Sequence, residues 1–326
     1  MAAACPVAAH RAPLFGCKGW DKKVSRIANC ALIAFPVIGV VACAHRDAAE
    51  ADGRAVVPRI AGPAGTLVVD DGGRGGMPVM FLHSYAGSRA HWSHQLAYLR
   101  KTRRAIAIDL RGHGESSAPA DRAYSSSALA ADVAAVVDAL RLDRFVLVGH
   151  SMGGSAAITY AGANPQRVAG LVLAGAPGKI PTEQASKIIA SIEADYDKVM
   201  AKYWDELLTN ARPDVRARLL RERQSVGKAD SISIIKSLFA DDPLPPLGRY
   251  PGPTLIIVTD GDDQPVDLHR LLPQLPTARI EGTSHWPHLD KPDAFDAALD
   301  GFLAQDSLTQ RSASTLRSLP AEGARQ

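Results

Sequence analysis

No cysteine follows Cys43 in this 326-residue chain, and the four it has, Cys5, Cys17, Cys30 and Cys43, all fall near the N-terminus. Everything beyond Cys43 must therefore fold without an internal disulfide. There is no C-x-x-C pair on which a thiolate metal site would be built. Net charge is scarce too, at +3. Residues 1–42 hold Arg11, Lys18, Lys22, Lys23 and Arg26 against one acid, Asp21, which leaves 32 basic and 33 acidic residues for the remainder. A body so close to neutrality lacks the electrostatic footprint of a nucleic-acid binder, and no nucleic acid is expected as a partner. No internal repeat is visible. Apolar residues are plentiful at 46%, enough for one large core or two small ones.

The two ends differ from the middle. Lys22, Lys23 and Arg26 precede the apolar run IANCALIAFPVIGVVACA, residues 27–44. Basic residues, an apolar stretch and small residues at its end are the layout of an export signal. Its last part, VVAC, resembles the bacterial lipoprotein signal, in which cleavage precedes a cysteine that then carries lipid, so Cys43 is the lipidation candidate. Residues 1–43 are expected to be this leader. The protein is then exported, as a periplasmic or outer-membrane-anchored lipoprotein. The alternatives are a secreted product cleaved after Ala44 and an uncleaved inner-membrane anchor, a reading that Asn29 and Pro36 weaken. Residues 44–64 read as a linker with a possible first strand near Val56 to Ile60. Residues 304–326, rich in Ser, Gln and Arg, offer little to pack and are expected to be a disordered tail.

Between these ends, short apolar runs alternate with helix-like text. TLVVD (66–70) and PVMFLH (78–83) read as strands, and RAIAID (104–109), RFVLVG (144–149), VAGLVLAG (168–175) and PTLIIVTD (253–260) are the continuous runs of strands buried on both faces. ARIEG (278–282) is a shorter member. Ser127 to Leu140 places Leu129, Val133, Val136, Val137 and Leu140 on one side of a helix. Strand–helix alternation implies an α/β fold, a mostly parallel sheet with helices on both faces. The core is expected over 65–176 and 248–303. Residues 177–247 contain no convincing strand and read as a helical cap, which would lie over the carboxyl ends of the strands, where ligands bind.

The stretch LVGHSMGGSA (147–156) joins an apolar strand to an Ala-rich helix through a turn with Ser151 at its centre and Gly149 and Gly153 two residues away on each side. A turn that sharp strains its central residue and crowds the positions two before and two after, where glycine removes the clashing Cβ. This is the G-x-S-x-G nucleophile elbow. On it the chain resembles the α/β-hydrolase fold superfamily, serine hydrolase or esterase type, over roughly residues 55–303.

The resemblance implies a catalytic triad in the chain order serine, acid, histidine, with Ser151 as nucleophile. GTSHWPHLDKPDAF (282–295) resembles the superfamily's histidine loop, with His285 as the base and His288 as its competitor. The acid is expected after the strand TLIIVTD. Of Asp260, Asp262, Asp263 and Asp267, the text DDQPV favours Asp263, with Asp262 as the alternative. The oxyanion hole would be the backbone N–H groups of Met152 and, from HSYAGS, of Tyr85, where Ser84 stands in the place of the superfamily's glycine and its hydroxyl adds a potential contact.

Other prominent residues have simpler readings. DLRGHGES (109–116) is read as a structural loop, His91 and His94 as surface or capping residues lacking a Glu partner, His150 as packing, and GGRGG (72–76) as a hairpin turn without the Walker lysine. Trp92, Tyr196, Tyr203 and Trp204 either line a pocket or pack the core and cap. The implied chemistry is hydrolysis of a small-molecule carboxylic ester, lactones included, through an acyl-enzyme with no metal or organic cofactor. Cleavage of a carbon–carbon bond beside a ketone is the alternative, and a non-enzymatic receptor on the same scaffold is the alternative of another class.

Overall fold

A computed structural model describes residues 57–261 and 264–305. The leader with Cys43, the acid candidates Asp262 and Asp263 and the C-terminal tail beyond Gln305 lie outside the described residues. The apolar runs become strands. They are β1 (Arg59–Gly62), β2 (Gly65–Gly72), β3 (Val79–Leu82), β4 (Ala105–Asp109), β5 (Phe145–His150), β6 (Val168–Ala174), β7 (Thr254–Val258) and β8 (Thr277–Arg279). They form one sheet in the order β1-β2-β4-β3-β5-β6-β7-β8. β1 and β2 pair antiparallel, as do β2 and β4, and all other pairs are parallel. β3 to β7 are buried at every position, which is why their sequences show no polar alternation.

Helices cover both faces. The longer ones are α1 (Ser93–Leu99), α2 (Ser126–Ala139), α3 (Met152–Ala163), α4 (Thr182–Ala194), α5 (Tyr196–Leu207), α6 (Pro213–Glu222), α7 (Lys228–Ala240) and α8 (Pro292–Leu303). Two apolar clusters result. One packs β-strand residues such as Met80, Ile106 and Leu147 against α2, α3 and the helices inserted between β6 and β7. The other packs Phe81, Val146 and Ile257 against α1 and α8. The inserted segment carries α4 to α7, where the sequence shows helical text.

Two local readings are corrected. The first strand runs from Arg59 to Gly62, later than Val56–Ile60, because its register is set by pairing with β2, with Gly62 opposite Gly65. GGRGG is not a hairpin turn, since β4 lies between β2 and β3 in the sheet. It is a crossing loop, with Gly73, Gly75 and Gly76 at positive φ, closed by Arg104 N–H donating to Gly75 O at 3.1 Å.

Candidate active site

Ser151 stands between β5 and α3 with φ 50° and ψ −117°, a backbone conformation that L-residues rarely adopt. Such strain costs about 1–3 kcal/mol and persists only where the surroundings over-determine it. They do so here. A Cβ on Gly149 would lie 2.5 Å from Gly153 O, and one on Gly153 would lie 2.5 Å from Leu82 O and 2.6 Å from His83 O. The turn is fastened by Ser151 N–H to Ala174 O (2.9 Å) and Gly154 N–H to Ser151 O (2.7 Å). It lifts Ser151 to the carboxyl edge of the sheet, partly exposed.

The loop after β3 approaches the same edge. His83 is buried, its Nδ1–H donating to Ser84 O (2.8 Å) and its Nε2 accepting from Leu110 N–H (3.0 Å), which fixes it as a neutral ring. Ser84 does not take the positive φ for which glycine would be needed; Ala86 takes it instead, at 56°. The Ser84 hydroxyl accepts from Trp286 Nε1–H at 3.2 Å, so the residue at the glycine position joins this loop to the histidine loop. Met152 is the first residue of α3, where no earlier turn supplies an acceptor for its N–H. Neither its N–H nor that of Tyr85 is taken by another described residue. Burial raises the Tyr85 phenol pKa well above its ordinary value.

His285 reaches the elbow from the other side. His150, the residue before Ser151, donates from Nε2–H to His285 O at 2.7 Å, and the two rings lie 4.9 Å apart. His150 therefore packs, as expected, and also tethers the two loops. His285 N–H donates to Leu207 O at the end of α5 (3.0 Å). The buried Asp290 carboxylate accepts from Ser284 N–H (2.9 Å), Ser284 Oγ–H (2.5 Å) and Arg212 N–H (2.9 Å), holding both the histidine loop and the inserted segment. His288, the competitor, is buried with no hydrogen-bond partner on either ring nitrogen, and its ring stacks on Trp92 at 4.1 Å.

Of the four aspartates after β7, two are described. Asp260 Oδ2 accepts from Gly282 N–H (2.7 Å) and Asp267 Oδ2 from Gln264 N–H (2.6 Å), so both carboxylates brace turns. The loop after β4 is structural. Asp109 accepts from Arg89 N–H (2.6 Å) and Glu115 N–H (2.9 Å), and Arg111 pairs with the buried Asp132 (2.6 Å). The surface reading of His91 is corrected. It is buried, and it has a Glu partner, Glu222 of α6, at 2.7 Å. That partner lies 131 residues away, beyond the reach of a local motif. His94 is half-exposed beside Asp296 at 3.1 Å. Trp92 and Trp204 are core residues, Trp204 stacked on Trp286 at 5.5 Å. Among the described residues no group of three or more His, Cys, Asp or Glu side chains could hold a metal.

A parallel-centred sheet, a strained serine between strand and helix, and a histidine loop tied to it define an α/β hydrolase. The chain belongs to the α/β-hydrolase family. A family model for the alpha/beta hydrolase fold matches residues 77–203. The mouse sn-1-specific diacylglycerol lipase ABHD11 is 30% identical over 249 residues, covering 69% of this chain and 80% of the lipase. The solved structure of Est816, an N-acyl homoserine lactone degrading enzyme, is 27% identical with a TM-score of 0.66, covering 75% of this chain and all of that one. The esterase EaEST of Exiguobacterium antarcticum shares the fold at 22% identity and a TM-score of 0.65, over 77% of this chain and all of its own.

Proposed function

We propose that the protein is a serine hydrolase that cleaves small carboxylic esters, lactones included, through an acyl-enzyme. The observation that carries this reading is the strained Ser151 elbow, with the His285 backbone bonded to the neighbouring His150. In this scheme Ser151 Oγ attacks the ester carbonyl while His285 takes its proton. The resulting oxyanion is held by the N–H groups of Tyr85 and Met152, and His285 returns the proton to the departing alcohol. Water, activated by the same imidazole, then releases the acid. Asp263 orients the imidazole. In support, Asp260 and Asp267 brace turns, and similar proteins include a lipase and a lactone-degrading enzyme.

The test is Ser151→Ala, assayed with p-nitrophenyl esters of graded chain length, a lactone and a vinylogous diketone. Fluorophosphonate labelling is measured alongside. Labelling should vanish and kcat fall by several orders of magnitude. An Ala variant keeping more than a tenth of wild-type turnover, a barrier change of about 1.4 kcal/mol or less, would sink the mechanism. Diketone cleavage without ester cleavage would move the reaction to a carbon–carbon bond, and binding without turnover would make the protein a receptor. The same proposal places the enzyme outside the cytoplasm, held by lipid on Cys43 through the leader's VVAC sequence.

A further inference from the structure

We propose that Tyr85 is a positioning residue through which the inserted helices set the oxyanion site. This rests on the serine-hydrolase reading above. One end of Tyr85, its N–H, is the second oxyanion donor of that scheme. The other end, its phenol, donates to Ser231 Oγ of α7 at 2.8 Å, and Ser231 Oγ–H continues to Val226 O at 3.4 Å. Both residues are buried. The Tyr85 ring also lies 6.0 Å from that of Trp204 in α5. Trp204 stacks on Trp286, and Trp286 Nε1–H donates to Ser84 Oγ, which itself donates to Tyr85 O at 3.3 Å. A closed circuit of contacts thus joins the loop after β3, α5 and the histidine loop, and the phenol ties α7 to it.

The circuit matters because an oxyanion donor works only within about 2.7–3.1 Å of the developing charge, and a misplacement of about 1 Å can cost roughly a hundredfold in rate. Beyond Leu82 the segment has left the sheet, so no ladder holds Tyr85 in place. Its side chain and Ser84 do. Loosening them is felt where charge develops, in the transition state, more than in ground-state binding. A second phenol offers the contrast. Tyr124 O–H donates to Asp230 Oδ1 at 3.1 Å, tying the same helix one residue away without touching the oxyanion loop.

The experiment compares Tyr85→Phe, Ser231→Ala, their double variant, Ser231→Thr and Tyr124→Phe in the full chain. It uses steady-state hydrolysis of p-nitrophenyl butyrate, with thermal melting to confirm folding. Tyr85→Phe and Ser231→Ala should each lower kcat about tenfold with KM nearly unchanged. The double variant should fall no further than Tyr85→Phe alone, which already removes the bond to Ser231. Ser231→Thr should recover most of the loss, and Tyr124→Phe should keep wild-type kcat. Wild-type kcat in Tyr85→Phe, an additive double variant, or an equal loss in Tyr124→Phe overturns the inference. Wild type lacking any Ser151-dependent turnover overturns the hydrolase reading itself, a failure visible before any of these variants is compared.

Discussion

Lowering the pH from 7.5 to 5 should strip a substantial part of the stability from the folded body, because buried histidines, His83, His113 and His288 foremost, are held neutral. Burial, and next the neighbouring His113, keep the His83 pKa well below 6.5. Its Nε2 already accepts from Leu110 N–H, so a proton there would break that bond. Burial lowers His113 to about 4. Burial, then the nearby His150, holds His288 well below 6.5 in its slot against Trp92. In the unfolded chain these rings bind protons near pH 6.5. Below that pH the unfolded chain binds more protons than the folded one, so stability is fully present above pH 6.5 and drains as the pH falls. Each ring costs about 1.4 kcal/mol per pH unit until its folded pKa is reached. By pH 5 His113 alone removes about 2 kcal/mol, and His83 and His288 add to the loss in the same direction, against a typical total of about 5–15 kcal/mol. Carboxylates add little in this window. Glu222, lowered to about 2, loses its contribution only below about pH 4.5, while Asp296, raised mainly by burial, returns a part as the pH approaches 4.

Urea titrations followed by tryptophan fluorescence at pH 7.5, 6.5, 6 and 5 measure this slope. His288→Phe keeps a ring against Trp92 and Phe295 and takes one proton from the count. Its slope below pH 6.5 should be shallower than that of the wild type, so the variant should gain stability relative to wild type as the pH falls to 5. Stability that stays flat from pH 7.5 to 5, or an unaltered slope in His288→Phe, would refute the reasoning.

Three further outcomes are expected. Asp263→Asn should lower kcat by roughly 10⁴-fold through the wrong imidazole tautomer, while Asp262→Asn does little; the opposite ranking in steady-state kinetics moves the acid by one residue. Gly153→Ala puts a Cβ 2.5 Å from Leu82 O, which should destabilise the fold by about 3 kcal/mol or more and abolish fluorophosphonate labelling, so a variant that melts and labels like wild type contradicts the packing argument. Expression with the leader in a Gram-negative host should yield an intact mass matching an acylated chain that begins at Cys43, lost in Cys43→Ser; an unmodified chain beginning after Ala44, or an uncleaved one, excludes the lipid anchor.

The central strands were readable because burial on both faces erases polar alternation and leaves runs such as RFVLVG and VAGLVLAG that little else produces. Edge features were less so. β1 is exposed at Arg59 and Ala61 and takes its limits from pairing with β2, a partner that its own residues do not announce. Gly73, Gly75 and Gly76 do turn the chain with positive φ. Positive φ looks the same in sequence whether the chain returns to a neighbour or crosses over one. His91 failed for a related reason, since spacing to His94 describes only local partners and its hydrogen bond goes to a helix more than a hundred residues later.

The site divides along the same line. The turn at Ser151 was legible because its demands are local, with two glycines whose missing Cβ atoms leave room for Gly153 O, Leu82 O and His83 O. What joins the elbow to its surroundings was not, since His150 to His285 O, Asp290 to Arg212 and Trp204 on Trp286 are chosen by tertiary proximity and follow no period. Ser84 lies between these cases. Read locally, a serine where the superfamily has glycine is a departure. In the fold the backbone freedom is needed at Ala86 instead, and the Ser84 hydroxyl is engaged by the indole that follows His285. The departure thus coincides with the side-chain bond from Trp286 that joins the loop after β3 to the histidine loop. A Ser84→Gly replacement would restore the family text there and remove this chain's own bond.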